Sequence, residues 1–79
     1  MSLEEYVNNP LWALLVETVH AMTMYTHHKA YARDVVLHEK PDATAHELAI
    51  KLGIPLGEAL VILSELRKTK SDGKNISQT

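Results

Sequence analysis

The sequence predicts an all-α fold in one domain, 1–79, with a three-helix core preceded by an extra N-terminal helix. Three observations predict it. Apolar residues recur at helical spacing in several segments, Thr44 and Glu47 form a capping signal, and Pro10, Gly53 and Pro55 stand where helices begin or end. A chain of 79 residues builds only a small core, which self-association would supplement.

The first helix is predicted over residues 10–28. Asn9 and Pro10 are typical of an N-cap and a first helical residue, because the first turn leaves the N–H that proline lacks unpaired anyway. An apolar stripe follows, widened by two neighbours: Leu11, Leu15, Val19 and Met22, with Trp12 and Val16. So wide an arc needs cover on more than one side, and we expect Trp12, Leu15 and Val19 to form a protein interface, in a homodimer.

A second helix is predicted from Lys29 to Glu39, since Pro41 pushes the residue before it out of the helical region. Residues 23–28 have side chains of middling helix propensity. The sequence therefore leaves open whether residues 10–39 form one bent helix or two.

The third and fourth helices have clear boundaries. Thr44 and Glu47 fit a capping box, in which each side chain satisfies the other's backbone N–H. Gly53 suits a left-handed C-terminal cap, so the third helix is expected to end there. Pro55 then opens a fourth helix, from Leu56 to about Lys68.

Residues 42–55 read Asp-Ala-Thr-Ala-His-Glu-Leu-Ala-Ile-Lys-Leu-Gly-Ile-Pro and are followed by a leucine pair, Leu63 and Leu66. This pattern resembles winged-helix and related helix-turn-helix regulators over about half of the chain, residues 30–69. In those families the threonine caps the second core helix, Leu-Gly-Ile makes the turn, and paired leucines close the recognition helix. The resemblance implies a helix-turn-helix core that binds DNA.

The recognition helix that the resemblance implies is poor in DNA-reading side chains. Between Leu56 and Leu66 it has no Arg, Lys, Asn or Gln, the types that pair with guanine or adenine in the major groove. Its Glu58 and Glu65 would face a polyanion unfavourably. The composition of this helix therefore does not favour recognition of a DNA sequence.

An alternative use of the same helix is a protein contact. With Ala59, Leu63 and Leu66 facing the core, we expect Leu60, Val61 and Ile62 to leave part of an aliphatic surface exposed. The N-terminal helix of the same chain or of a second subunit would cover it, or another protein would dock there.

Residues 70–79 form a basic tail or a short wing. Ser71, Asp72 and Gly73 are a turn signal, and the thirteen residues from Arg67 to Thr79 leave room only for a short hairpin. Four basic residues are candidates for phosphate contacts, although they also suit the negative end of a helix dipole: Arg67, Lys68, Lys70 and Lys74.

Metal binding, cofactors and catalysis are not predicted. The chain has no cysteine, and its histidines are solvated or interface residues by default, since no pair has the spacing of a helical zinc site: His20, His27, His28, His38 and His46. We also find no Gly-rich phosphate loop and no nucleophile with a supporting base.

The apolar run from Leu11 to Val16 is too short to span a membrane, and Glu4 and Glu5 stand where a signal peptide would carry basic residues. We therefore expect a cytoplasmic protein that has no membrane partner. The function we expect is that of a small non-enzymatic transcriptional regulator, a homodimer associated with DNA by weak, largely non-specific contacts. The alternative is an interaction module that docks another protein through its last helix.

Overall fold

The computed structural model describes the backbone of residues 3–78 and the side chains of residues 3–68. This part of the chain forms five helices and contains no strand, which confirms the all-α expectation. Helix α1 spans Leu3–Val7 and α2 spans Trp12–His20. Helix α3 runs without interruption through Tyr25–Tyr31, a π-helical segment Ala32–Val36 and Leu37–Glu39, and it is followed by α4, Ala45–Leu52, and α5, Leu56–Gln78.

The N-terminal region differs from the predicted single helix over residues 10–28. Helix α2 ends at His20, and residues 21–24 form turns before α3, so residues 10–39 are two helices. The Asn9 side chain accepts a hydrogen bond from the Leu11 N–H (2.8 Å), and α2 begins only at Trp12. Helix α1 was not predicted at all.

The expected end of α3 is confirmed. Helix α3 ends at Glu39, and Lys40, which precedes Pro41, leaves the helical region with φ −139° and ψ 85°. The proline ring excludes the helical conformation from the residue before it. The cause of this helix end is local, and the sequence therefore predicts the boundary well.

The capping box and the glycine cap of α4 are also confirmed. The Thr44 hydroxyl accepts the Glu47 N–H at 3.1 Å, and the Glu47 carboxylate accepts the Thr44 N–H at 3.1 Å. Gly53 takes the left-handed conformation, with φ 66° and ψ 37°. Three residues, 53–55, then connect α4 to α5.

Replacing Gly53 by alanine should cost about 1 kcal/mol of unfolding free energy, because an L-residue at positive φ is strained. A Cβ at this position meets no atom within 4 Å, so backbone strain is the whole effect. Gly53→Asn should cost less, since asparagine tolerates this region better. Urea unfolding of the three proteins measures the difference, and equal stability of all three would contradict the left-handed cap.

Helix α5 lies at the centre of the molecule and contacts each of the other four helices. Its first three turns are buried on nearly every side, through Glu58, Ala59, Leu60, Val61, Ile62, Leu63 and Leu66. The helix continues to Gln78: of the two alternatives for the end of the chain, a tail or a short wing, the wing is not found, because residues 70–78 extend α5. Within residues 3–78, no helix is both long and apolar enough to cross a membrane.

Candidate functional site

Two glutamates lie in the otherwise largely apolar part of α5 that packs against the other helices. Glu58 and Glu65 are seven residues apart, which places them on the same side of α5, two turns from each other. This side faces α2 and α3. Both carboxylates pair there with side chains from far away in the sequence.

The Glu58 carboxylate is buried, with its side chain 0% exposed. One of its oxygens, Oε2, lies 2.6 Å from Nδ1 of His28, whose side chain is 28% exposed. The other oxygen, Oε1, has no hydrogen-bond partner among the described residues. A buried carboxylate with one orphaned oxygen depends strongly on its single partner.

The Glu65 carboxylate is the centre of a second group. Its Oε2 lies 2.6 Å from Nε2 of His20, while its Oε1 accepts hydrogen bonds from the Tyr25 hydroxyl and from Lys29 Nζ, the latter at 3.1 Å. The His20 and Tyr25 rings also contact each other, with centroids 5.1 Å apart, and Lys29 Nζ lies 5.8 Å from the Tyr25 ring centroid. Glu65 thus links the end of α2 and the start of α3 to α5.

We call these six residues the polar seam: His20, Tyr25, His28, Lys29, Glu58 and Glu65. Among the described residues, no group of three His, Cys, Asp or Glu side chains is arranged to hold a metal ion. The seam ties α2 and α3 to α5, because hydrogen bonds to a carboxylate are directional while apolar contacts are not.

Sequence reasoning missed the seam and considered Glu58 and Glu65 only as residues that would face a polyanion unfavourably. One signal was available, namely two acidic residues at seven-residue spacing inside an apolar helix. Their partners were not identifiable from local pattern, because His28 and His20 lie 30 and 45 residues away along the chain.

A glycine allows α2 to approach α5 closely. A Cβ built on Gly57 would lie 3.1 Å from Leu15 Cδ1, which is tighter than ordinary van der Waals contact. Leu15 and Trp12 are half-buried and pack against the core, and Val19 is 2% exposed. Val19 is therefore enclosed by the chain's own core, while Trp12 and Leu15 keep part of their surface exposed, and an interface through these residues stays a prediction.

The aliphatic side chains that the sequence offered as a surface of the last helix are covered. Leu60 is 6% exposed, and Val61 and Ile62 are each 0% exposed. The other four helices, α1 to α4, pack against α5. The sequence left open what covers these side chains, and the cover comes from within the same chain. These three side chains are not available to a partner.

The basic candidates are divided between a structural contact and the surface. Arg67 is exposed, but its Nη2 donates a hydrogen bond of 2.8 Å to the Ala43 carbonyl, just before α4. Lys68 is exposed. The side chains of Lys70 and Lys74 lie outside the described residues.

Exposed apolar side chains lie elsewhere than the sequence suggested. At the start of α2, the N-cap residue Leu11 and Leu14 of the first turn are 67% and 60% exposed. On α4, Ile50 is 82% exposed and lines an open groove of about 510 Å³ between α3 and α4.

Comparison of the chain with protein-family models, with curated proteins and with solved structures gave no match. The burial of α5, the distribution of charge and the exposed apolar side chains are the features of this chain that bear on its function.

The groove beside Ile50 also contains an ion pair with a titration consequence. The hydrogen bond from Lys40, followed by those from Thr44, lowers the pKa of Glu47 from 4.5 to about 2. A carboxyl group whose pKa is lower in the folded protein than in the unfolded protein stabilises the fold at pH values above its unfolded pKa. This stabilisation disappears as the pH falls through the folded pKa.

Thermal unfolding should reveal this contribution. Near neutral pH the wild-type protein should have a higher melting temperature than the Glu47→Gln variant. The difference in melting temperature should shrink below pH 4.5 and vanish near pH 2. Lys40→Met should remove much of it, since the Lys40 hydrogen bond is the largest cause of the shift. A difference that stays constant down to pH 2 would show that the pair does not form.

Proposed function

We propose that this chain is a non-enzymatic protein of the helix-turn-helix type that acts by associating with protein, and not by reading DNA sequence. In this proposal α3, α4 and α5 form the three-helix core. The capping box of α4, the left-handed Gly53 and the short connection to α5 support it, as does the packing of α4 on both neighbours. Helices α1 and α2 are additions that cover α5.

The observation that carries the proposal is the burial of the third core helix. From Leu56 to Leu66 every residue of α5 is buried or half-buried, and none is exposed. A recognition helix must present several side chains to the edges of bases in the major groove. Here the corresponding face packs under α1 and α2, with Leu15 against Gly57.

Charge supports the same conclusion. Residues 3–68 carry nine carboxylates against six basic side chains. Four of those six are already engaged within the chain: Lys29, Arg33 and Lys40 in ion pairs, and Arg67 with a backbone carbonyl. Neutralising phosphates requires basic side chains in excess on one surface.

Fluorescence anisotropy with a random-sequence DNA duplex tests the proposal. Even non-specific phosphate binding appears at low salt and weakens steeply as salt rises. We expect no binding at low salt. Binding that is strong at low salt and lost at physiological salt would overturn the proposal.

One observation favours a second candidate, a DNA-associated regulator. Because α5 continues to Gln78, positions 67, 70 and 74 follow each other at helical spacing along one side of it, and all three are basic. Such a stripe would contact phosphates without reading sequence.

Under this second candidate, the double variant Lys70→Glu/Lys74→Glu should weaken binding equally on all duplexes. Lys51→Glu, an exposed lysine on α4, serves as the matched control and should leave binding nearly unchanged. Equal effects of the double variant and the control would reject a contact through the end of α5.

A further inference from the structure

A cavity of about 300 Å³ lies where α1, α5 and the start of α4 meet. Its apolar lining comes from Leu3 on α1 and from Leu60 and Leu63 on α5, and we call it the α1–α5 cavity. Leu60 and Leu63 are 6% and 1% exposed, so the cavity reaches down to the core. Small-molecule sites have volumes of about 300–1,000 Å³ and are mostly apolar. This cavity therefore has the size of a site for a small organic molecule.

The polar side chains that line the α1–α5 cavity can all donate hydrogen bonds: Tyr6, Thr44, His46 and Arg67. The Arg67 guanidinium is oriented by the hydrogen bond from its Nη2 to the Ala43 carbonyl at 2.8 Å. A guanidinium has five N–H donors, so this bond leaves others for a ligand. The Thr44 hydroxyl accepts the Glu47 N–H and keeps its own proton to donate. These groups suit a ligand that accepts hydrogen bonds and carries negative charge.

The acidic residues closest in sequence to the lining lie outside the cavity, because no Asp or Glu among the described residues lines it. Glu47, one residue after His46, pairs with Lys40 and lines the groove between α3 and α4. Glu4 lines a separate crevice on α1. Two further carboxylates are exposed and are not part of the lining: Glu5 and Asp42. The lining thus carries one permanent positive charge, that of Arg67, and no negative charge.

We propose that the α1–α5 cavity binds a small amphipathic carboxylate, with the carboxylate group on Arg67 and the apolar body against Leu60 and Leu63. The guanidinium fork matches the two oxygens of a carboxylate, and such charge-assisted pairs are stronger than neutral hydrogen bonds. The single charge of Arg67 balances one carboxylate, whereas a phosphate monoester carries about −1.5 to −2 charges and would stay partly uncompensated. This site goes beyond association with protein and does not depend on it.

A ligand in the α1–α5 cavity would connect α1 to the core. No residue of α1 is buried, and the helix contacts α5. A molecule that touches Leu3 and Tyr6 on one side and the α5 leucines on the other removes apolar surface of both helices from water. Because the cavity exists only in the folded chain, binding raises the melting temperature as the ligand concentration increases.

Heteronuclear NMR of the isotope-labelled full chain, titrated with phenylacetate and with octanoate, tests the proposal. Each carboxylate has about ten non-hydrogen atoms, for which we expect a dissociation constant on the order of 1 mM. The chemical shift changes should saturate and should cluster at the residues that line the cavity, including the Nε–H signal of Arg67. Phenylacetamide has the same shape without the charge and should bind about tenfold more weakly.

Two variants with the same change in charge separate the cavity from general electrostatic attraction. Arg67→Gln should weaken phenylacetate binding about tenfold or more, because it removes the ionic partner. Lys68→Gln is the matched control, since Lys68 is exposed and does not line the cavity, and binding should stay within about twofold of wild type. Ala45→Leu places a larger apolar side chain on the lining without changing the charge and should prevent binding. Circular dichroism verifies that each variant folds.

Absence of saturable shifts with both carboxylates overturns the proposal. So does phenylacetamide that binds as tightly as phenylacetate, or an equal effect of Arg67→Gln and Lys68→Gln. Inorganic phosphate that gives the same shifts with the same affinity as phenylacetate would show an adventitious ion only and would equally overturn it. Salt-dependent binding to a duplex, by contrast, overturns the proposed function and leaves this site standing.

Discussion

Replacing Val61 by aspartate is expected to unfold the protein. Val61 is 0% exposed in the second turn of α5, and the described residues around it provide an apolar environment. Burying a carboxylate there without a partner should cost about 4 kcal/mol or more. The total stability of a chain of 79 residues is about 4–12 kcal/mol by the usual value per residue.

Circular dichroism and urea unfolding measure this effect. Ile50→Asp is the control, because Ile50 is 82% exposed and the change there should cost only about 0.5 kcal/mol of helix propensity. A Val61→Asp variant that melts like wild type would show that this face of α5 is accessible. That result would also support the prediction from the sequence that the last helix has an exposed aliphatic surface.

Replacing His28 by alanine is expected to lower the free energy of unfolding by about 3 kcal/mol, because it leaves the buried Glu58 carboxylate without its partner. Glu58→Met should change stability by only about 1 kcal/mol in either direction, since it removes the charge and the orphaned Oε1 together. His28 is 28% exposed and can then reach water.

The double variant His28→Ala/Glu58→Met provides the decisive comparison. In the Glu58→Met background the loss of His28 should cost much less than in wild type, with a coupling of about 2 kcal/mol. Chemical unfolding of the four proteins gives this coupling directly. Additive effects would mean that the two side chains do not interact.

Several boundaries follow from the sequence because their causes lie within a few residues. The Thr44 and Glu47 side chains satisfy each other's backbone groups, Gly53 takes a conformation that other residues avoid, and Pro41 ends α3. Each is a short-range interaction, so neighbouring residue types suffice to predict it.

The orientation of α2 could not be predicted in this way. Its apolar arc is wider than one stripe and is compatible with more than one buried face. The structure buries the side with Trp12, Leu15 and Val19 and leaves Leu11 and Leu14 exposed. Contacts with α5, including the close approach at Gly57, decide between these orientations.

By itself, the sequence determined the all-α class, the limits of α4 and the start of α5, since local hydrogen bonding and backbone preference specify them. Only the tertiary structure decided that α5 is enclosed and that Glu58 and Glu65 pair with histidines. It also decided which side of α2 faces outward. The histidine partners lie 30 and 45 positions from their glutamates, and helical periodicity describes a single helix without specifying what packs against it.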